Sequence, residues 1–407
     1  MARAVRVRGV VGALGWVAVG SMVSNVAAYV VYVGAGRWLL PSDYGQFARL
    51  LSAMLVLGVP ALALQSVIAR EVVRRRGGRL ARVTATTTAA VVVIAIAAAP
   101  VVVAVARTGT AATVAALGAA PLLVVIAAGQ GVLQGRGEFR ALGWVLAVVG
   151  LLRSVPMLVA FAVGAGPAAG LLAGTIGAAV AAVVVWSAVG TVVRAEHRTV
   201  GPDDAGVSAV GVLRASQVQL VAIVAVSIDL LLSGTALGAT DAGVYALGAV
   251  ATKAAFWLPQ AIGVVFYPRL ADPASSRTAL RQAVTVVAAI GAVLTLGAAL
   301  LGPLVPIVVG AAYRPLVPIL WLFAYTGSAM AVLQVLLLSA IAADRTRASA
   351  VTWLVLAVEV VVIVAFVDSV ATLAATAAIA VTVAAASTGV VVVRSMRASP
   401  HATPARS

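Results

Sequence analysis

The stretch GRWLLPSDYGQFA at residues 36–48 is answered, without a gap, by GTALGATDAGVYA at residues 234–246. Gly36, Leu39, Asp43, Gly45 and Ala48 meet Gly234, Leu237, Asp241, Gly243 and Ala246, and Phe47 meets Tyr245, at an offset of 198. Pro60 and Pro259 then follow the two copies at nearly the same distance. A repeat of this kind divides a chain into related halves, a common way of building membrane carriers. Each copy joins two long apolar stretches. That placement predicts that Asp43 and Asp241 stand just ahead of a helix, where a carboxylate can cap free backbone N–H groups. Gly45 and Gly243 would relieve crowding where the chain turns into that helix.

The rest of the chain is built to sit in lipid. Of its 407 residues, 63% are hydrophobic and 10% charged, against about 45–50% and about 25% in ordinary globular domains. A soluble protein of this length could not cover its surface with so little charge. A helix needs about 20 residues to cross a hydrocarbon core about 30 Å thick. Apolar stretches of that length fall near 10–34, 46–69, 84–106, 111–134, 141–164 and 167–192. A second set follows near 212–235, 245–268, 278–302, 316–340, 349–368 and 370–393. The expected fold is therefore all-α, with about twelve transmembrane helices in two six-helix bundles that form a parallel repeat. The expected limits are 1–195 for the first bundle, 196–211 for a cytoplasmic linker, 212–394 for the second bundle and 395–407 for a cytoplasmic tail. The opening MARAVRVRGVVGALGWVAVG has the basic and apolar regions of a signal peptide. Its apolar run continues past residue 30 with no clear small-x-small site, so it is expected to remain as the first span.

Charge placement orients these spans. The net charge is +16, from 27 arginines and one lysine against 12 acids. The basic residues occupy short clusters between apolar stretches, which points to an anionic leaflet and not to nucleic acid. With the N-terminus in the cytoplasm, 22 basic residues fall on the cytoplasmic side, three outside and three within spans. This predicts a multi-pass protein of the cytoplasmic membrane with both termini inside. The longest loop, near 193–211, is too short for a catalytic or nucleotide-binding domain, and no Walker-type glycine loop is present. With no cysteine, and with His197 and His401 the only histidines, neither a metal centre nor another cofactor is expected.

With the repeat in place, LLPSDYGQF (39–47) and LGATDAGVY (237–245) resemble a motif of the multidrug/oligosaccharidyl-lipid/polysaccharide exporter superfamily. The likeness is strongest to its Wzx-like polysaccharide flippases. SIDLLLSGTALG (227–238) and VVFYPRLA (264–271) add to it. The resemblance covers both halves. It implies two six-helix bundles around a central cavity that opens alternately to either face. It also implies a polyprenyl-diphosphate-linked oligosaccharide as substrate, with polysaccharide assembly proteins as further partners. Related lipid II flippases have fourteen helices; twelve favours the oligosaccharide branch.

Five ionisable residues fall inside the expected spans: Arg49, Arg153, Asp229, Lys253 and Glu359. Each costs about 2.5–3.5 kcal/mol at a span centre on the insertion scale, so each needs a partner or a task. Arg153, Lys253 and Arg49 are candidates to bind a diphosphate, arginine bidentately and lysine as a compact charge. Asp229 and Glu359 are candidates for ion coupling or for pairing with Lys253 and Arg153. In the alternative, all are structural pairs, with Arg49 snorkelling to the interface. Three other functions compete. A cation-coupled drug exporter of the same superfamily would want acids deep in the first six spans, and none is at a span centre there. A membrane-embedded enzyme would want larger outer loops. A non-transporting component of polysaccharide biosynthesis would tolerate neutralising Arg153 and Lys253 together.

Overall fold

The computed structural model describes residues 2–74, 80–195, 220–259, 276–342 and 347–398. The linker 196–211, the arginines at 75, 76 and 79, the stretch 264–271 and the end of the tail lie outside the described residues. The chain divides into two compact units, Met1–Leu220 and Val221–Ser407. Among the described residues every regular element is helical. Nine helices among the described residues are long and apolar enough to cross a membrane, and Leu220–Ala236 and Ala350–Phe366 are shorter apolar helices.

Among the described residues the N-terminal unit contains six helical spans. Span one is Ala2–Trp38. Span two is Pro41–Leu57 continued by Val59–Val73, and span three is Leu80–Val105. Span four is Thr110–Leu117 continued by Ala119–Gly135. Spans five and six are Phe139–Ala162 and Pro167–Ala195. Spans two and four are interrupted at Gly58 and Gly118, and each break is followed within three residues by a proline, Pro60 or Pro121. Proline lacks the N–H that would continue the ladder, so a break just before it is the expected outcome.

Small residues let these helices touch. A Cβ placed on Gly20 would overlap the backbone oxygen of Gly143, and one on Gly143 would overlap that of Trp16. Spans one and five therefore meet backbone to backbone, the close approach that glycine permits between membrane helices. Gln65 donates to Gln134 (3.2 Å) between spans two and four. A buried core of Ala, Val, Leu and Ile from spans two to six, including Leu64, Val124, Leu133, Val145 and Val185, fills the unit.

Six helical segments are also found among the described residues of the C-terminal unit, three of them among the nine long enough to cross a membrane. Span seven, Leu220–Ala236, is interrupted by a turn at residues 226–227 before its second segment, Ile228–Ala236. Span eight is Ala239–Trp257 and span nine Ser276–Leu301. Short turns lead to span ten, Leu320–Ala342, then span eleven, Arg347–Phe366, and span twelve, Val370–Ala398. Spans eight and ten are joined by Thr252, whose hydroxyl donates to the Phe323 carbonyl (3.0 Å). Spans seven, nine, ten and twelve supply most of its core, with Val221, Val287, Leu333 and Val381 among the members.

The repeat is visible in the element limits: span one ends at Trp38 and span seven at Ala236, and spans two and eight begin at Pro41 and Ala239. Both differences equal 198. The structure corrects the helix starts. Span two begins at Pro41 and span eight at Ala239, several residues before the first strongly apolar run. Asp43 and Asp241 therefore lie inside the first turn and not ahead of it, and no side chain caps either helix by a hydrogen bond. Their charge still complements the positive end of the helix. Gly45 and Gly243 are buried within the helices, beyond the turn they were expected to ease.

Candidate functional site

The helix starts change the depth of the charged residues. Arg49 is eight residues beyond Pro41, about 12 Å along the helix. Its side chain is only 3% exposed, so it does not snorkel to a nearby interface. Its Nε and Nη1 have no hydrogen-bond partner among the described residues. Arg153 is fourteen residues beyond Phe139, about 21 Å along span five. It is half-buried; its Nη2 lies 4.0 Å from the Met54 sulfur, and the Tyr32 hydroxyl is within electrostatic range. Spans one, two and five thus bring Tyr32, Met54 and Arg153 together. No carboxylate among the described residues pairs with Arg49 or Arg153. A thioether is a weak acceptor, so both guanidinium groups keep most of their capacity to bind an anion.

The remaining charges gather in the C-terminal unit. Asp229 is 3% exposed, Lys253 6%, Glu359 4% and Tyr245 1%. Tyr245 donates its hydroxyl hydrogen to Asp229, which also accepts the N–H of Leu230 (2.7 Å). Lys253 and Glu359 both lie within electrostatic range of Asp229. Asp229 is seven residues from the end of span seven at Ala236, and Glu359 seven from the end of span eleven at Phe366. Tyr245 is six residues from the start of span eight at Ala239. The three share one layer of the unit, about 10 Å from those helix ends. Lys253 sits fourteen residues beyond Ala239, about 21 Å along span eight, so its long side chain bridges towards that layer.

Sequence reasoning paired Asp229 with Lys253, and the two are electrostatic neighbours. Within the C-terminal unit, Glu359 lies within electrostatic range of a second carboxylate, that of Asp229. Tyr245 had entered only as the counterpart of Phe47, and its hydroxyl was the missed contact. Ser227 was missed as well: it is fully buried in the interruption of span seven, and its Oγ has no hydrogen-bond partner among the described residues.

Comparison with known proteins places this fold. No family model matches the chain, and no curated protein sequence matches it. Among solved structures it is similar to an inward-facing multidrug resistance MATE family transporter of the MOP superfamily. That match has a TM-score of 0.74 and 13% identity, and covers 95% of this chain and 98% of the other. An outward-facing MATE transporter matches at a TM-score of 0.61 and 16% identity, over 95% and 96% of the two chains. A MOP superfamily transporter from Pyrococcus furiosus, described as having a binding pocket of reverse polarity that suggests a different function, matches at 0.58 and 13%. Its coverage is 95% and 96%. The fold is that of MATE transporters, carried by a very different sequence.

Proposed function

We propose that the chain is a membrane transporter that moves a polyprenyl-diphosphate-linked oligosaccharide across the cytoplasmic membrane by alternating access. The observation that carries this reading is Arg49: a buried guanidinium whose Nε and Nη1 find no acceptor among the described residues. A buried ion without a partner costs several kcal/mol. A diphosphate offers such a group several charged oxygens, and arginine grips phosphate in a bidentate geometry. Arg153, held beside Tyr32 and Met54, supplies a second cation in the same unit. Lys253 belongs to the acidic cluster of the other unit and is a weaker candidate for the substrate. Anionic membrane lipids and polysaccharide assembly proteins are the further partners that this function calls for.

A second reading is a cation-coupled multidrug exporter. The likeness to multidrug MATE transporters favours it, and the buried acids Asp229 and Glu359 would serve its coupling. The neighbour described with a binding pocket of reverse polarity is itself suggested to have a different function.

Binding by the purified full-length protein separates the two. A ligand held only by the folded state raises its stability by about 2.7 kcal/mol at a hundred times Kd. A polyprenyl diphosphate should raise the apparent melting temperature of the wild type, with less effect on Arg49→Met and Arg153→Ala. An increase with an organic cation, and none with the diphosphate, would favour the drug exporter.

A further inference from the structure

Spans three, four and five end in the same turn. In each, a backbone N–H just past the helix reaches back five residues: Thr108 to Val103 (3.3 Å), Glu138 to Leu133 (3.0 Å) and Ala165 to Ala160 (2.9 Å). This closure places one residue in the left-handed region, and glycine is its usual occupant. Gly137 (φ 75°) and Gly164 (φ 83°) fill it after spans four and five. After span three the residue is Arg107, at φ 47°, the one non-glycine residue with positive φ among the described residues. A Cβ there crowds the following carbonyl oxygen, so arginine stands against the backbone's preference. It stands against the charge distribution as well. Arg107 is one of three basic residues on the expected outer side, where the bias of membrane proteins disfavours them; 22 fall on the cytoplasmic side.

The helix dipole does not account for it. A cation is favourable at the C-terminal end of a helix, but span four meets both demands without strain, with Arg136 at φ −81° and Gly137 after it. Span five closes with Val163 and Gly164 and no cation. The turn that carries Arg107 is also held firmly. Thr108 is buried, its hydroxyl 2.8 Å from that of Thr113, which donates to the Gly109 carbonyl (2.9 Å). The Gly109 N–H donates to the side-chain oxygen of Gln46 on span two. Arg107 itself is exposed. Gln46 and Arg49 are three residues apart and share a helix face. The turn is therefore pinned about 4.5 Å along span two from Arg49, on its outer side.

We propose that Arg107 is an anion-binding residue of the outer surface, which takes the diphosphate of a lipid-linked substrate on the outer side of Arg49. A guanidinium presents paired N–H groups that fit phosphate oxygens, and binding changes no covalent bond. The anion site stands on the turn itself; the identity of its ligand rests on the transport function proposed above. Phospholipid headgroups of the outer leaflet offer the same chemistry, and the test separates the two sources.

The chain has no cysteine, so Ala111→Cys, at an exposed position four residues beyond Arg107, carries a single environment-sensitive dye. An impermeant dye labels only molecules whose outer face looks out of the vesicle. The labelled full-length protein, in phosphatidylcholine vesicles, then receives polyprenyl diphosphate from outside. The dye should respond saturably. The concentration for half response should rise about ten-fold to a hundred-fold in Arg107→Gly and Arg107→Gln, as for the loss of one charged hydrogen-bonded contact. Arg107→Lys should fall between. Glycine suits the turn, so Arg107→Gly should melt no lower than its parent, and its loss of binding would not reflect unfolding. Equal responses in the parent and Arg107→Gly would overturn the proposal. A response to phosphatidylglycerol as large as that to the diphosphate lipid, at equal added charge, would overturn the assignment to substrate and make leaflet headgroups the ligand. In proteoliposomes that flip a lipid-linked glycan, Arg107→Gly should slow the initial rate several-fold. An unchanged rate would remove Arg107 from the substrate's path. Absence of flipping by the wild type, with the dye response intact, would reject the transport function and leave the anion site standing.

Discussion

Arg49→Met separates function from stability at one residue. The wild-type guanidinium is 3% exposed, and two of its nitrogens lack acceptors among the described residues, so its burial carries a desolvation cost that those residues do not relieve. Methionine has similar length, no charge and a flexible stem that fills irregular gaps. Replacing buried ionic groups by apolar ones of similar volume is often stabilising by about 1–4 kcal/mol. Substrate binding should move the other way. Each hydrogen bond to a charged group contributes about 1.5–3 kcal/mol. Losing two would weaken diphosphate binding by about 3–6 kcal/mol, or roughly a hundred-fold to ten-thousand-fold at about 1.4 kcal/mol per decade. The assays are an apparent melting curve without ligand and a titration with polyprenyl diphosphate, on the same preparation. A variant that melts higher and binds much more weakly fits the argument. A variant that melts lower and binds as well as the wild type would show that Arg49 is structural, and would refute the reasoning.

Other substitutions probe the remaining contacts. Arg153→Lys keeps the charge but loses the planar fork, so it should bind diphosphate more weakly than wild type and more tightly than Arg153→Ala, read in the same titration. Gly143→Val should disrupt spans one and five, because its side chain would meet the backbone of Trp16, which cannot rotate away. Overpacking typically costs about 1–3 kcal/mol, and a lower melting temperature or reduced monodisperse yield would register it. Gln65→Ala removes the bond to Gln134, and interhelical hydrogen bonds in membranes average about 0.6 kcal/mol. Its melting temperature should stay within a few degrees of wild type, with transport unchanged.

Much of the architecture was legible in the sequence because membrane spans announce themselves by apolar length, and the repeat supplied an independent division. The glycine–proline pairs at Gly58–Pro60 and Gly118–Pro121 also carried a local signal. The start at Pro41 was readable in principle, since proline favours the first helical turn, but the polar residues Ser42 and Asp43 masked it in an apolar-run count. The interruption at 226–227 left no such mark: VSID contains neither glycine nor proline. The site was harder still. Asp229 and Tyr245 are 16 residues apart, on two spans that meet through the tight turn at Leu237–Gly238, and Glu359 joins them from span eleven. Which of several buried charges meet depends on helix rotation, which span length does not encode. The aligned Phe47–Tyr245 pair held the missing clue: one copy has a hydroxyl where the other has none.

The most direct measurement is flipping of a fluorescent polyprenyl-diphosphate oligosaccharide in proteoliposomes, comparing wild type with Arg49→Met and Arg153→Ala at equal, verified incorporation. The account predicts flipping by the wild type and severe loss in both variants. Equal flipping by all three, or export of an organic cation by folded wild type that leaves the glycan lipid unmoved, would contradict it.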